Sequence, residues 1–251
     1  MNKFENMPVT TNDSQSPIRP EGLEMVPMNV EETLALLRSH FEGIADRTGM
    51  PIEKGIIDTV VVFNSIGYKT RQSCEGHAGK EGLPFSWIDI QNEFVDTEEG
   101  QEYEDLNREF DLFLKTNQKE GQKISGSNFP GYSRLMELRK KVINDDEKTK
   151  ERLVNLLNEF YSKKGSSDFE YGVLPIRGSV RLMPKLVIKM DQAYVDRLNE
   201  SGNMNEDIKN GKVSPEYDSF DEEKRREWVQ KSQNEMQRIN EYLKERINKN
   251  N

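Results

Sequence analysis

Apolar residues recur along this chain with two periods, and the switches between them divide it into elements. Val30, Leu34, Leu37, Phe41 and Ile44 are spaced by 4, 3, 4 and 3, which makes one helical face. Asn29 followed by Glu32 supplies a capping box for that helix, and Gly49 a stop. Pro51 then opens a second helix at its first position, with Ile52, Ile56, Val60 and Phe63 inward and Gly67 at its end. The run Val60–Phe63 is β-branched and also fits a strand. The end signals favour the helix.

After Gly67 the period becomes two. Tyr68–Ser73 fits a strand, and Phe85–Gln91 alternates Phe85, Trp87 and Asp89 with Ser86, Ile88 and Ile90. The pair predicts a hairpin whose loop is longer than most and therefore a candidate functional one. Helical spacing returns with Thr97 as a cap and Tyr103, Leu106, Phe110 and Phe113 as a stripe. Leu135, Leu138 and Val142, then Leu153, Leu156 and Phe160, predict two helices or one bent helix over 133–163, interrupted at Asn144–Glu147. Phe169, Tyr171 and Val173 alternate, and Arg177-Gly178 turns the chain into Val180–Met183. Leu186, Ile188 and Met190 prolong that strand past Pro184, which suits an edge position. A short helix over 191–200 and a long one over 219–249 complete the chain. Ser219 and Glu222 form a capping box for the long helix, and Trp228, Met236, Ile239, Leu243 and Ile247 its thin apolar stripe.

The expected fold class is α+β: a small, mainly antiparallel sheet from 68–73, 86–91, 169–176 and 179–189, covered by helices from 30–66 and 101–163. Residues 1–28, proline-rich and without a period, read as a disordered arm. Residues 29–200 read as the core domain, 201–217 as a polar linker, and 218–251 as a C-terminal helix.

The 251 residues carry a formal charge of −9, and this excess is local: Ile88–Asp111 holds ten acids and one base. An anionic chain is a poor non-specific binder of nucleic acid. The one basic region, 119–141 with Lys119, Lys123, Arg134, Arg139, Lys140 and Lys141, leaves such a partner unlikely but open. No apolar run approaches the roughly 18 residues of a membrane span, and no secretory leader is evident, so a cytoplasmic location is expected. A single cysteine, Cys74, excludes a disulfide scaffold, and two histidines, His40 and His77, exclude a poly-histidine metal site.

That scarcity directs attention to Ser73-Cys74-Glu75-Gly76-His77-Ala78-Gly79, where the thiol and one imidazole lie three positions apart. Three chemistries fit. Cys74 can be a nucleophile whose thiolate is stabilised by His77. Cys74 and His77 can be metal ligands, with Glu75, Asp89 or Glu93 completing the shell. The loop amides and the Ser73 hydroxyl can cradle an anionic or nucleotide ligand. Against these stands a plain structural role, with Cys74 a buried hydrophobe and His77 closing the loop. Ser73, Glu75, Gly76, Trp87, Asp89 and Arg181 are the supporting groups of the site reading, and if there is catalysis, thiol-dependent chemistry is favoured. No cofactor follows from the residues.

The string Asn64–His77, followed by Pro84, Trp87, Ile88 and Asp89, resembles a segment in a family of uncharacterised bacterial and phage proteins. They share Gly-aromatic-x-Thr-x-x-Ser-Cys-x-Gly-His and then a strand, and the resemblance carries no activity. A fainter likeness is to the wybutosine-synthesis methyltransferase family, with Ser-Cys-Ser-Gly-Arg after a strand. Glu75 and His77 stand here at the serine and arginine positions, and the likeness implies only a strand–loop ligand site. The competing functional class is a non-enzymatic protein that forms a homodimer through 219–249, motivated by the thin stripe on that helix.

Overall fold

The computed structural model describes residues 30–44, 51–79, 82–117, 125–176, 178–200 and 216–250. The arm 1–28, Asn29, Gly49 and most of the expected linker lie outside these. Helix α1 (Val30–Glu42) turns its Leu34, Leu37 and Phe41 onto the core. Helix α2 (Lys54–Ser65) contains the valine run, with Ile56, Ile57, Val60, Val61, Val62 and Phe63 all buried. It packs against α1, the sheet and the C-terminal helix, and burial on every side is why its composition also suited a strand. It begins at Lys54 with Glu53 in the N-cap position, three residues after the expected first position at Pro51. Its end is a Schellman motif: Tyr68 N–H donates to Phe63 O (2.9 Å), Gly67 N–H donates to Asn64 O (3.1 Å), and Gly67 takes φ +88°. The Phe63 and Tyr68 rings meet edge to face across it.

Strands β1 (Thr70–Cys74), β2 (Trp87–Gln91), β3 (Tyr171–Ile176) and β4 (Ser179–Pro184) form one antiparallel sheet in the order β1-β2-β4-β3. The α+β class and the two hairpins are as expected. The extension of β4 over Leu186–Met190 is not. Pro184 has no N–H for a ladder, and the chain turns there into α5 (Lys185–Glu200). Lys185 and Leu186 are both exposed and Val187 is buried, which breaks alternation and suits a helix.

On one face of the sheet Ile88, Ile90, Val180, Leu182 and Tyr171 join the main core with α2. Helix α4 (Tyr132–Lys164) adds Leu153, Leu157 and Phe160, and α6 (Glu222–Asn250) adds Met236, Ile239, Tyr242 and Leu243. On the other face Phe85, Phe169, Met183, Val187, Tyr217, Phe220 and Trp228 form a second cluster. The thin stripe of α6 is therefore spent on this chain's own core. Its N-cap is Asp221, which accepts from Lys224 N–H (2.8 Å). Ser219, expected there, belongs to the preceding 3-10 turn and donates to Glu216 O.

Helix α3 (Glu98–Asn117) is capped by Thr97 as expected, through Gly100 N–H (3.1 Å), and packs Tyr103 against Phe129, Leu135, Leu138 and Val142. The acids of its first turns meet the bases of α4: Arg134 donates to Glu102 (2.6 Å) and Lys141 to Glu99 (2.5 Å). Lys119 and Lys123 lie outside the described residues. Helix α4 is one element and not two. Its polar interruption holds the loops beside it: Asp145 accepts from Phe94 N–H (2.9 Å), and buried Asp146 from Asn92 Nδ2 (2.7 Å) and Gly178 N–H (3.2 Å). No helix among the described residues is long and apolar enough to cross a membrane.

Candidate metal centre

Three segments converge where β1 ends. Cys74 is the last residue of β1, paired with Trp87 of β2, and His77 lies in the connection that follows. Glu53 arrives from the N-cap of α2. A carboxylate oxygen of Glu53, Cys74 Sγ and a ring nitrogen of His77 all lie within 4.8 Å of one another.

The local geometry has a cause at each residue. Glu53 makes no cap bond to its own helix. Its Oε2 accepts Glu75 N–H (2.6 Å), and its Oε1 sits 2.9 Å from His77 Nε2. Glu75 works in the opposite direction, its Oε2 accepting Gly55 N–H (2.7 Å) in the first turn of α2. The two glutamates thus brace helix and loop against each other. A side chain at residue 55 would put its Cβ 2.5 Å from Glu75 Oε2, so this glycine is what lets the carboxylate approach. Gly76 takes φ +90°, and a Cβ there would lie 2.9 Å from the Phe85 carbonyl carbon. His77 N–H donates to Leu83 O (2.8 Å), which closes the loop.

Cys74 Sγ accepts from Gly76 N–H (3.4 Å). Burial nonetheless pushes the thiol up to about 12, and the Glu53 and Glu75 carboxylates push in the same direction, against that one amide. The His77 side chain is 43% exposed and that of Glu53 30%, so solvent reaches the cluster from one side.

The other expected site residues are placed differently. Ser73 is half-buried opposite Ile88. Gly76, expected as a supporting group, shapes the loop through its positive φ. Asp89 pairs with Gln72 and with Arg181, and its two oxygens accept from Arg181 Nε (2.6 Å) and Nη2 (2.8 Å). The Arg181 guanidinium lies 3.9 Å from the Trp87 ring centroid. Trp87, Asp89 and Arg181 are brought together as a stack of their own. Glu93, a metal candidate by sequence, accepts instead from Arg152 (2.7 Å). His40 is exposed on α1. Glu53 was invisible to spacing because it precedes the loop by a helix. The one signal was Gly55, an odd residue for a helix's first turn unless something approaches closely.

No protein-family model matches the chain, and neither a curated protein nor a solved structure matches it.

Proposed function

We propose that the protein holds one zinc-class divalent ion through Glu53, Cys74 and His77, with a fourth position open to solvent. The carrying observation is the convergence of a carboxylate, a thiol and an imidazole from three segments within 4.8 Å. Sulfur with nitrogen selects a borderline ion over calcium or magnesium, which prefer oxygen. Three protein ligands with an open position is the arrangement of catalytic rather than structural zinc. Tetrahedral bonds of about 2.0–2.3 Å separate donors by roughly 3.3–3.5 Å, within the 4.8 Å that bounds these three atoms, so side-chain adjustment alone brings them to one ion. An ion so held lowers the pKa of bound water and polarises carbonyl or phosphoryl oxygens.

A metal-free Cys74 nucleophile is the weaker reading, because every carboxylate near the thiol opposes its ionisation. Metal analysis of the purified protein and competition against a chromophoric chelator test the proposal. About one equivalent of zinc, lost in Cys74→Ser and Glu53→Gln, is expected. Binding that survives both substitutions overturns it. In the metal-free protein, iodoacetamide should react with Cys74 about 100-fold more slowly than with a free thiol at pH 8. A reaction faster than that of a free thiol would restore the nucleophile.

A further inference from the structure

The connection that carries His77 is held mainly by a helix far along the chain. Arg225, in the first turns of α6, is 5% exposed. Its guanidinium donates to three backbone carbonyls of the connection: Ala78 (3.1 Å), Gly79 (2.6 Å) and Gly82 (2.7 Å). A buried guanidinium whose bonds go to carbonyls instead of a carboxylate is costly unless those bonds are all made. Two turns further on, Gln233 Nε2 donates to Glu75 O (3.1 Å), and Ser232 Oγ accepts Ser86 N–H (3.0 Å). Ser86 Oγ also donates to Glu75 O (2.7 Å). Tyr171 OH ties both strands of contact together through Ser86 O (2.9 Å) and Ser232 O (3.3 Å). The carbonyls that Arg225 gathers bracket His77 on its C-terminal side, and Gln233 holds the peptide just before Gly76. Among the described residues the hydrogen bonds of α6 go to the connection and not to Glu53, Cys74 or His77, yet they set the conformation of the loop that carries His77.

We infer that Arg225 is a positioning residue of the centre, with Gln233 in support, and that metal binding and docking of the first half of α6 are coupled. This rests on the metal reading above. Because the coupling is an equilibrium one, it acts in both directions: the docked helix raises metal affinity, and the bound ion holds the helix down. The second half of α6 is anchored independently by Met236, Ile239 and Leu243 in the main core, so loosening Arg225 leaves the helix attached.

The test uses the full chain, with cobalt(II) and zinc(II) as probes. Wild type should show a thiolate-to-cobalt charge-transfer band. Arg225→Met, which keeps the stem and removes the donors, should weaken binding about 10- to 100-fold. It should also alter the cobalt spectrum, which general destabilisation would leave unchanged in the bound state. Arg225→Lys should recover part of both. In wild type, adding zinc should slow amide hydrogen exchange across 222–233, and this measurement decides the matter if Arg225→Met fails to fold. Unchanged affinity and spectrum in a folded Arg225→Met, or exchange across 222–233 that ignores zinc, overturns the coupling while leaving the metal site standing. A wild type that binds neither ion overturns the metal reading itself.

Discussion

The sheet is made of two hairpins, and they solve the same problem in opposite ways. Between β3 and β4 the pairing runs to Ile176 and Ser179, so the connection is two residues long, and of these Gly178 is described. Gly178 takes φ +76°, as a tight turn requires, and its N–H is received by Asp146. Between β1 and β2 the last pair is Cys74 and Trp87, and residues 75–86 make the connection. A segment of that length cannot close by turn chemistry. It borrows Glu53 at one end, and Arg225, Ser232 and Gln233 at the other. The short hairpin closes by its own turn and takes one outside anchor, Asp146 of α4. The long one gathers polar groups from more of the distant elements, and it is there that a carboxylate, a thiol and an imidazole meet.

The contrast breaks most sharply at glycines. Gly76→Ala introduces both a strained φ and a Cβ pressed on the Phe85 backbone, so it should cost about 3 kcal/mol and weaken zinc binding at least 100-fold. Denaturant unfolding and chelator competition measure the two effects, and a small loss of stability with intact zinc affinity would mean that the loop is not shaped for the site. Next in size, zinc at about 100 times its Kd should add about 2.7 kcal/mol to wild type, a rise of about 5–10 °C in Tm. Glu53→Gln should abolish that shift in a thermal scan.

Gly178→Ala sits in the other hairpin, where an added Cβ meets only ordinary contact with Val95. It should cost about 1–2 kcal/mol through φ strain and leave zinc affinity unchanged. Equal effects of the two glycine substitutions on zinc would erase the distinction drawn here.

A further effect concerns pH. Burial raises the Asp146 carboxyl to about 6, against the hydrogen bonds from Asn92 and Gly178 that favour its charge. Between pH 4 and 6 the folded chain keeps this proton and the unfolded chain does not, so its contribution to stability falls as pH rises through that window. Asp146→Asn should remove that slope, and its stability relative to wild type should improve from pH 4 to pH 6 in urea melts. Parallel profiles for the two proteins would show that Asp146 titrates normally.

How much of this was legible beforehand depended on the range of the interaction. The stripe of α3, its Thr97 cap and the Arg177-Gly178 turn follow from neighbours within a few residues, and the sequence shows them plainly. Leu186–Met190 misled because Leu186, Ile188 and Met190 alternate over a stretch too short to tell it from helical spacing. Ser219 and Asp221 both offer a cap to α6, and only the preceding turn, which takes up Ser219, separates them. At the site, Cys74 and His77 stood out through rarity and closeness. Glu53 and Arg225 did not, since an ordinary glutamate and an ordinary helix arginine are distinguished only by where the fold carries them. Asp89 and Arg181, expected as supporting groups of the loop, are each other's partner.

Arg225 lies 147 positions beyond Ala78, whose carbonyl it holds. At the roughly 5–20 residues per second of protein synthesis, the loop waits about 7 to 30 s for that clamp to leave the ribosome. A half-made chain therefore displays its thiol and imidazole without the frame that arranges them, and the order of residues along the gene becomes a timer on when this corner can mature.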